Sequence, residues 1–250
     1  MNGLAERFLS FFVDNFPPWQ AIAIGGPVGI AWSYACLRFS GHLKTRRRWQ
    51  TGYTRKTFHF LIFGSVVAIE RVWGTPIVCL FGGACSLVIF YAVWRGPGHP
   101  LYEAMAREKD HPHRSYYILV PYVATLVGGL TSNILFGPAA VVGYLVTGLG
   151  DAVGEPVGTA LGKHPYRVPS LGSVKAVRSW EGSAAVLVAS AAAIAAAVAI
   201  SPELHFTPWS VLTIPLVAVV CAAVEALSPH GWDNATLQLI PSLLAWVAVR

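Results

Sequence analysis

The chain has 250 residues, of which 54% are hydrophobic and only 12% are charged, with a formal net charge of +6. Soluble domains carry about 25% charged residues, so this composition excludes an ordinary soluble enzyme and favours an all-α, polytopic integral membrane protein. The positive charge does not indicate nucleic-acid binding, because the basic residues cluster between apolar segments, where membrane topology accounts for them. No low-complexity tract or linker divides the chain, and residues 1–250 are predicted to form one membrane-embedded domain.

The N-terminal residues 1–16 do not have the pattern of a signal peptide, because Glu6 and Asp14 interrupt the stretch and no small-residue cleavage site follows. A helix that lies in the membrane interface explains the segment better. We therefore predict an interfacial helix that ends at Pro17.

The rest of the chain contains enough apolar segments for eight membrane spans, at about 17–25 residues each. Residues 115–150 carry no charge, but a single helix of that length would extend about 54 Å and would exceed a ~30 Å bilayer core. A turn at Thr131-Ser132-Asn133 is therefore predicted to divide this segment into two spans. The other predicted spans are residues 15–37, 57–73, 72–94, 182–202, 204–224 and 235–249. The total falls to seven if one of the shorter segments does not span.

The basic residues orient these predicted spans. With eight spans, segments 38–56, 95–114, 151–181 and 225–234 share one side and contain 15 of the 18 Lys and Arg residues. Positive charge is retained on the cytoplasmic side, so these segments are predicted to be cytoplasmic and both termini to lie on the opposite side.

Residues 148–163, GLGDAVGEPVGTALGK, combine small residues with charge. Glycine recurs at every fourth position: Gly150, Gly154, Gly158 and Gly162. This spacing is typical of seams where membrane helices pack closely. However, Asp151 and Glu155 are also four residues apart, and acids at membrane depth commonly mark function. The alternative is a loop entering a helix at Pro156, with glycine N–H groups binding phosphate and the two carboxylates binding Mg²⁺.

Three further polar groupings lie at the predicted cytoplasmic ends of spans. The first is Arg55-Lys56-x-x-His59, in which His59 is predicted either to contact a phosphate and carry a proton or to be a buried histidine with satisfied hydrogen bonds. The second is Lys175 with the segment 178–183. In that segment Arg178 is suited to phosphate and Glu181 to metal, whereas Ser179 also fits a helix N-cap. The third is Glu225 with Asp233-Asn234. Such clustering on one face is typical of a membrane enzyme that uses a charged cytosolic substrate.

Together these groupings resemble the CTP-dependent lipid-alcohol kinases, which include dolichol kinase, phytol kinase and the yeast-type diacylglycerol kinase, within the phosphatidate cytidylyltransferase superfamily. The resemblance covers roughly residues 50–240. Four motifs carry it in order: Arg55-Lys56-x-x-His59; Gly150-Asp151-Ala152 with Gly154, Gly158 and Gly162; Ser179-Trp180-Glu181-Gly182-Ser183; and Glu225-Ala226-Leu227 with Asp233-Asn234-Ala235-Thr236.

Some features depart from that family. Arg178 stands where many relatives have Lys, and Glu155 is not expected throughout the family. The Lys-Arg, Lys-Asp and His-Gly-Gly-x-x-Asp-Arg signature of the cytidylyltransferases is absent, which favours a kinase over a CDP-lipid synthase. The chain length is most similar to the short phytol or polyprenol kinase branch.

The resemblance implies transfer of the γ-phosphate of CTP, with Mg²⁺, to the hydroxyl of an isoprenoid alcohol (phytol, geranylgeraniol or a polyprenol) at the cytoplasmic membrane face. The candidate catalytic residues are Asp151, Glu181, Asp233 and His59. The candidate metal ligands are Asp151, Glu155, Glu181, Glu225 and Asp233. The candidate nucleotide- and phosphate-binding residues are Arg55, Lys56, Gly150, Gly154, Gly158, Lys163, Lys175, Arg178, Ser179, Ser183 and Asn234.

Other functions stay open at this point: a diacylglycerol kinase, a CDP-lipid or nucleotidyl transferase of the same superfamily, or a small lipid transporter. A transporter would place its acids near the bilayer midplane between repeated halves. In this chain the acids lie at span ends and no internal repeat is visible, which favours the kinase. The sequence does not specify the oligomeric state.

Overall fold

The computed structural model describes residues 2–168, 177–202, 204, 208–229 and 231–248. These residues are mostly helical, as the composition predicts. The helices are α1 (Asn2–Asp14), α2 (Trp19–Arg47), α3 (Thr51–Trp73), α4 (Thr75–Arg95), α5 (Pro100–Glu103), α6 (Tyr116–Phe136), α7 (Ala140–Leu145), α8 (Ala152–Leu161), α9 (Trp180–Ile200), α10 (Pro208–Leu227) and α11 (Asp233–Ala248). A π-helical turn, Val146–Asp151, joins α7 to α8. Two short strands, β1 (Pro165–Arg167) and β2 (Val177–Ser179), pair antiparallel.

Four helical stretches of the described chain are long and apolar enough to cross a membrane: 19–47, 75–95, 116–161 and 180–200. The third of them runs from α6 to α8 and includes the short turn Gly137–Ala139. A further apolar helix, 212–227, is shorter. Helix α3 has apolar residues in its middle but charged residues near both ends, from Arg55 and Lys56 to Glu70 and Arg71. The membrane character is therefore visible in the fold, whereas the count of seven or eight spans stays a prediction.

Glycine and proline residues set the main helix boundaries. Helix α1 ends just before Pro17-Pro18, close to where the sequence predicts an end. Helices α3 and α4 meet at Gly74, whose φ of 77° is readily adopted only without a Cβ, and α4 ends at Gly96, whose φ is 68°. Short connections of this kind place successive helices antiparallel.

The uncharged segment 115–150 does break, but not at the predicted position. Helix α6 continues through Thr131–Asn133 to Phe136, and the chain turns at Gly137-Pro138. The Asn133 side chain donates a hydrogen bond to the Gly129 carbonyl one turn earlier, so its polar group is satisfied without ending the helix. Gly137 has a φ of 53° and precedes a proline, and both features oppose a continuing helix.

The glycine-rich stretch is helical, which corrects the prediction of a loop in which glycine N–H groups bind phosphate. Residues 146–151 form the π-helical turn and α8 follows without a loop. A Cβ on Gly154 would lie 2.7 Å from Val186 Cγ2 of α9, and a Cβ on Gly158 would lie 3.0 Å from Ser179 Oγ. The glycines therefore form the helix-packing seam that their spacing indicates.

Candidate functional site

A cavity of about 650 Å³ lies between α3, α4, α6, α8 and α11. One end is lined by charged residues, including Arg55, Lys56, Asp151 and Arg178. The remaining wall is largely apolar, with Ile62, Phe81 and Leu130 among its residues, which belong to α3, α4 and α6. The cavity therefore joins a charged region at the helix ends to an apolar region along the helices.

Three acids from three different helical elements converge at the charged end. Asp151 ends the π-helical turn, Glu225 lies near the end of α10, and Asp233 is the first residue of α11. One carboxylate oxygen of each lies within 4.8 Å of the others. Asp151 and Glu225 are buried, and Asp233 is partly buried. Three acids held this close need positive charge between or beside them.

Two basic side chains supply that charge in the structure. Lys56 Nζ donates a hydrogen bond to Asp151 Oδ2 at 2.5 Å, and both side chains are buried. Arg178 forms an ion pair with Glu225 and donates to Asp233 Oδ2 at 3.1 Å. The three acids and two cations thus form one network, which we call the acid cluster (Lys56, Asp151, Arg178, Glu225 and Asp233).

Local structure explains how Arg178 reaches this network. Arg178 lies in β2, opposite Tyr166 of β1, immediately before α9 begins. Ser179 caps α9 by accepting a hydrogen bond from the Gly182 N–H at 3.1 Å, which agrees with the N-cap interpretation of this residue. The cap fixes the chain entering α9, so that the preceding side chain is held at the cavity.

Asn234, the other polar residue of the last motif, connects α11 to α6. Its Nδ2 donates to the Pro121 carbonyl at 3.2 Å and to Thr125 Oγ1 at 2.8 Å. One turn later, Gln238 Nε2 donates to the Thr125 carbonyl at 3.0 Å. Both amides therefore hold α11 against the Pro121 and Thr125 backbone carbonyls of α6. Gln238 lines the cavity, and the sequence analysis did not select it.

His59 lies beside the acid cluster but has a structural partner. Its Nε2 lies 2.9 Å from the Thr147 carbonyl and 3.7 Å from Asp151 Oδ2. A carbonyl oxygen only accepts, so Nε2 is the protonated nitrogen and donates to it. This geometry agrees with the interpretation of a histidine with satisfied hydrogen bonds, although the ring is only partly buried, and it holds α3 against the π-helical turn that carries Asp151.

Glu155 forms a second charged group next to the acid cluster. Arg55 Nη2 donates to Glu155 Oε2 at 2.9 Å, and Arg107 Nη1 donates to Glu155 Oε1 at 3.4 Å. Arg107 is buried, and its Nε also donates to Asp110 at 2.8 Å. Arg107 was missed by the sequence analysis because it belongs to a segment, 99–114, that has the composition of a polar surface loop.

This segment between α4 and α6 is fixed by its own ion pair. Arg114 Nη2 donates to Glu103 Oε2 at 2.6 Å and to the Ala106 carbonyl at 2.6 Å. Partial desolvation favours neutral Glu103, but the hydrogen bonds from Arg114 and from the Gly98 N–H, together with the positive charge of Arg114, outweigh it and lower the pKa of Glu103 below its ordinary value. The hydrogen bond to Glu103 raises the pKa of Arg114. Both groups stay charged, and the segment presents Arg107 as a fixed part of the cavity wall.

Several other sequence-selected residues are not brought into the acid cluster. Glu181 accepts a hydrogen bond from His164 Nδ1 at 2.7 Å, outside the residues that line the cavity. Lys163, which directly precedes His164 in the chain, is exposed. Ser183 lines the cavity and pairs with the Tyr166 hydroxyl at 2.5 Å. Lys175 lies outside the described residues. The candidate site is therefore carried by α3, the π-helical turn, β2, α10 and α11.

Comparison with known proteins gives one informative relative. The chain is 31% identical over 196 residues to the phytol kinase of Synechocystis sp., and the match covers 77% of this chain and 78% of that protein. No family model matches the chain, and no solved structure gives a significant match. The apolar helices and this relationship together indicate a membrane protein. With this identity over more than two thirds of both chains, the protein belongs to the phytol kinase family.

Proposed function

We propose that this protein is a membrane kinase that transfers the γ-phosphate of CTP to the hydroxyl of an isoprenoid alcohol, with phytol, geranylgeraniol or a polyprenol as the acceptor. The observation that carries the proposal is the position of the acid cluster at one end of a largely apolar cavity. A lipid alcohol needs an apolar channel for its chain, and a nucleotide needs charge for its phosphates. The reaction requires that the two meet at one point, and the charged end of the cavity is such a point.

The basic residues at this end are suited to bind the nucleotide phosphates. Phosphoryl transfer depends mainly on positioning and on charge stabilisation. Lys56 and Arg178 are now paired with carboxylates, and Arg55 shares Glu155 with Arg107. Phosphate oxygens arriving between them would accept the same N–H donors, and Arg178 would offer the planar donor pair that favours phosphate. Lys109 also lines the cavity at this end.

The three clustered acids are suited to hold Mg²⁺. Their chemistry fits, because Mg²⁺ prefers oxygen ligands and is commonly bound by one or two carboxylates together with substrate phosphates. Carboxylate oxygens from Asp151, Glu225 and Asp233 already lie within 4.8 Å of one another. When bound there, the ion would neutralise charge on the transferring phosphoryl group. Glu155 and Glu181 are poorer candidates, because the first is shared by two arginines and the second pairs with His164.

The remaining residues have positioning roles in this proposal. His59 holds α3 to the π-helical turn through the Thr147 carbonyl. Asn234 holds α11 to α6. We propose Asp233 as the base that takes the proton of the alcohol, because it lines the cavity next to the other acids, whereas Glu181 lies outside the cavity lining. The hydrogen bond from Arg178 orients the Asp233 carboxylate.

The acceptor is proposed to enter from the bilayer between α4 and α6. Tyr122 joins these helices, because its hydroxyl bonds to Ser86 and its ring contacts Phe90 edge to face at 5.6 Å. One turn further along α6, Leu126 lines the cavity and is also 41% exposed. This position is suited to a lateral opening, through which a lipid would pass without leaving the membrane.

The sidedness of the reaction rests on the charge distribution. Lys56, Asp151, Arg178 and the Arg107 segment belong to the three regions that carry 15 of the 18 Lys and Arg residues, so we propose that the acid cluster faces the cytoplasm and that both termini lie opposite. The choice of CTP over ATP rests on the family resemblance alone.

The test uses the full chain purified in lipid nanodiscs with Mg²⁺ and labelled nucleotide. Phytol, geranylgeraniol, a long polyprenol and diacylglycerol are supplied as acceptors, each with γ-labelled CTP, γ-labelled ATP or α-labelled CTP. We expect label from γ-labelled CTP in one or more isoprenoid alcohols, none from α-labelled CTP, and loss of transfer on chelation of Mg²⁺. Label in no lipid would contradict a kinase, α-label in lipid would indicate a nucleotidyl transferase, and label in diacylglycerol alone would change the acceptor class.

A further inference from the structure

The far end of the cavity, away from the acid cluster, is lined in part by α1. Phe11 and Phe12 of α1 line the cavity there, together with Asn133 of α6 and Tyr144 of α7. A second cavity of about 300 Å³ lies beyond, and it shares Phe11, Asn133 and Tyr144 with the first. These three residues therefore form a partition between two cavities, which we call the end wall (Phe11, Asn133 and Tyr144).

The two sides of the end wall differ in polarity. On the side of the acid cluster, the cavity between α3, α4 and α6 is largely apolar. On the other side, the smaller cavity is lined by Asn15, Glu70 and Thr75, and Thr75 donates to Glu70 at 3.0 Å. In the wall itself, Asn133 bonds both to the Gly129 carbonyl and to the Tyr144 hydroxyl. A hydrocarbon chain that passed this point would have to desolvate polar groups without replacing their hydrogen bonds.

The apolar part of the cavity has a limited length. Along α6, its lining runs from Tyr117, near the charged end, to Asn133 in the end wall. Sixteen steps of helix correspond to about 24 Å. An extended diterpene alcohol has a length comparable to this, whereas a long polyprenol is several times longer.

We propose that the end wall limits the chain length of the alcohol, with Phe11 of α1 as the residue that closes it. This inference rests on the proposed function and adds a specificity-determining residue to it: Phe11 would admit alcohols of the size of phytol and geranylgeraniol and exclude long polyprenols. Phe11 is the part of the wall that comes from outside the main helix bundle, because α1 lies at its periphery with Leu9, Phe12 and Val13 exposed. Removing the Phe11 ring opens the wall at the side of α1 without disturbing the Asn133–Tyr144 pair.

The experiment compares acceptor profiles of the full chain with substitutions on α1. The variants are Phe11→Ala, which opens the wall, and Phe11→Trp, which enlarges it; Leu9→Ala is the matched control, on the same helix, 69% exposed and outside the described cavity lining. For each, kcat/KM is measured with a sesquiterpene alcohol, phytol and a long polyprenol. Specificity pockets that gain or lose small apolar groups change such ratios by about 10–200-fold.

We expect Phe11→Ala to raise the polyprenol-to-phytol ratio by at least about tenfold, and Phe11→Trp to shift preference from phytol to the sesquiterpene alcohol by a similar factor. Leu9→Ala should leave both ratios unchanged. Unchanged ratios in a Phe11 variant that phosphorylates phytol would overturn the end wall while leaving the kinase intact. Efficient use of polyprenol by the unsubstituted protein would also overturn it, whereas phosphorylation of no alcohol by that protein would mean that the proposed function itself has failed. If Phe11→Ala does not fold, Phe11→Trp still decides the question from the opposite direction.

Discussion

The two sides of α8 carry the same four-residue period but meet different neighbours. On one side, Gly154 and Gly158 pack against the start of α9. On the other side, Asp151 and Glu155 face the charged side chains of α3, and Asp151 lies at the junction with the π-helical turn. Each acid directly follows a glycine in sequence, and successive helical residues are about 100° apart, so the two sets occupy adjacent stripes. One helix therefore serves both as a packing element and as a support for charge.

The glycine side is restricted by backbone as well as by side chains. A Cβ on Gly182 of α9 would lie 2.8 Å from the Gly154 carbonyl oxygen, and a Cβ on Gly154 would lie 2.7 Å from Val186. The acid side is restricted by charge, since Lys56 and Arg55 each need their carboxylate. The seam therefore sets how closely α8 approaches α9, and this position determines which cations of α3 the acids contact.

The largest expected effect is on the acid side. Asp151→Asn keeps the side-chain shape but removes a carboxylate from the acid cluster, and we expect it to lower kcat by about 10²–10³-fold or more. It also leaves Lys56 buried without its partner, which should lower the free energy of unfolding by about 3–5 kcal/mol. The measurements are phytol phosphorylation and thermal unfolding in nanodiscs.

The double variant Lys56→Met with Asp151→Asn separates the two effects of that substitution. It removes the unpaired charge, so stability should recover at least in part. Activity should not recover, because both a phosphate-binding cation and a metal ligand are missing. Recovery of activity together with stability would mean that the Lys56–Asp151 pair has a structural role only.

A smaller effect is expected on the glycine side. Gly154→Ala places a methyl group against Val186, which is fully buried, and overpacking of this kind costs about 1–3 kcal/mol of unfolding free energy. Val186→Ala in the same chain makes room for the methyl group, so the two substitutions should be non-additive and the double variant more stable than their sum predicts. Thermal unfolding of the four proteins gives the coupling energy. Strict additivity would show that the seam is looser than the structure has it.

Residue spacing was a good guide to which residues lie on the same side of a helix, and a poorer guide to which helices meet. The i, i+4 relation between Asp151 and Glu155 predicted a shared face, and both side chains do turn towards α3. The same spacing of the glycines indicated a packing seam, which the structure has in place of the alternative phosphate-binding loop. The spacing alone does not reveal the π-helical turn at Val146–Asp151, because a single turn with one extra residue leaves no periodic pattern in the sequence.

Residues selected by motif proved to have very different surroundings. Glu181 and Glu225 were both acids at span ends, but Glu225 lies in the acid cluster while Glu181 points to His164. Arg107 shows the opposite error: nothing in the local sequence distinguishes it from a surface arginine. Its burial depends on the Glu103–Arg114 pair and on the position of Glu155, about fifty residues away along the chain. Such contacts are long-range and leave no local pattern.

The smallest expected effect comes from the acid on the far side of the glycine seam. Glu181 lies in the first turn of α9 and pairs with the exposed His164, so Glu181→Gln should leave stability close to that of the unsubstituted protein, as is usual for exposed ion pairs. Its side chain lies outside the described cavity lining, so phytol phosphorylation and its Mg²⁺ dependence should stay close to those of the unsubstituted protein.

His164→Asn is the matched control, because it breaks the same pair from the other partner. If Glu181→Gln lost as much activity as Asp151→Asn while His164→Asn did not, the metal site would have to include the start of α9, and the division between a packing side and a charged side would no longer hold. Equal, small effects of the two substitutions would restrict the charged site to the α3 side of the seam.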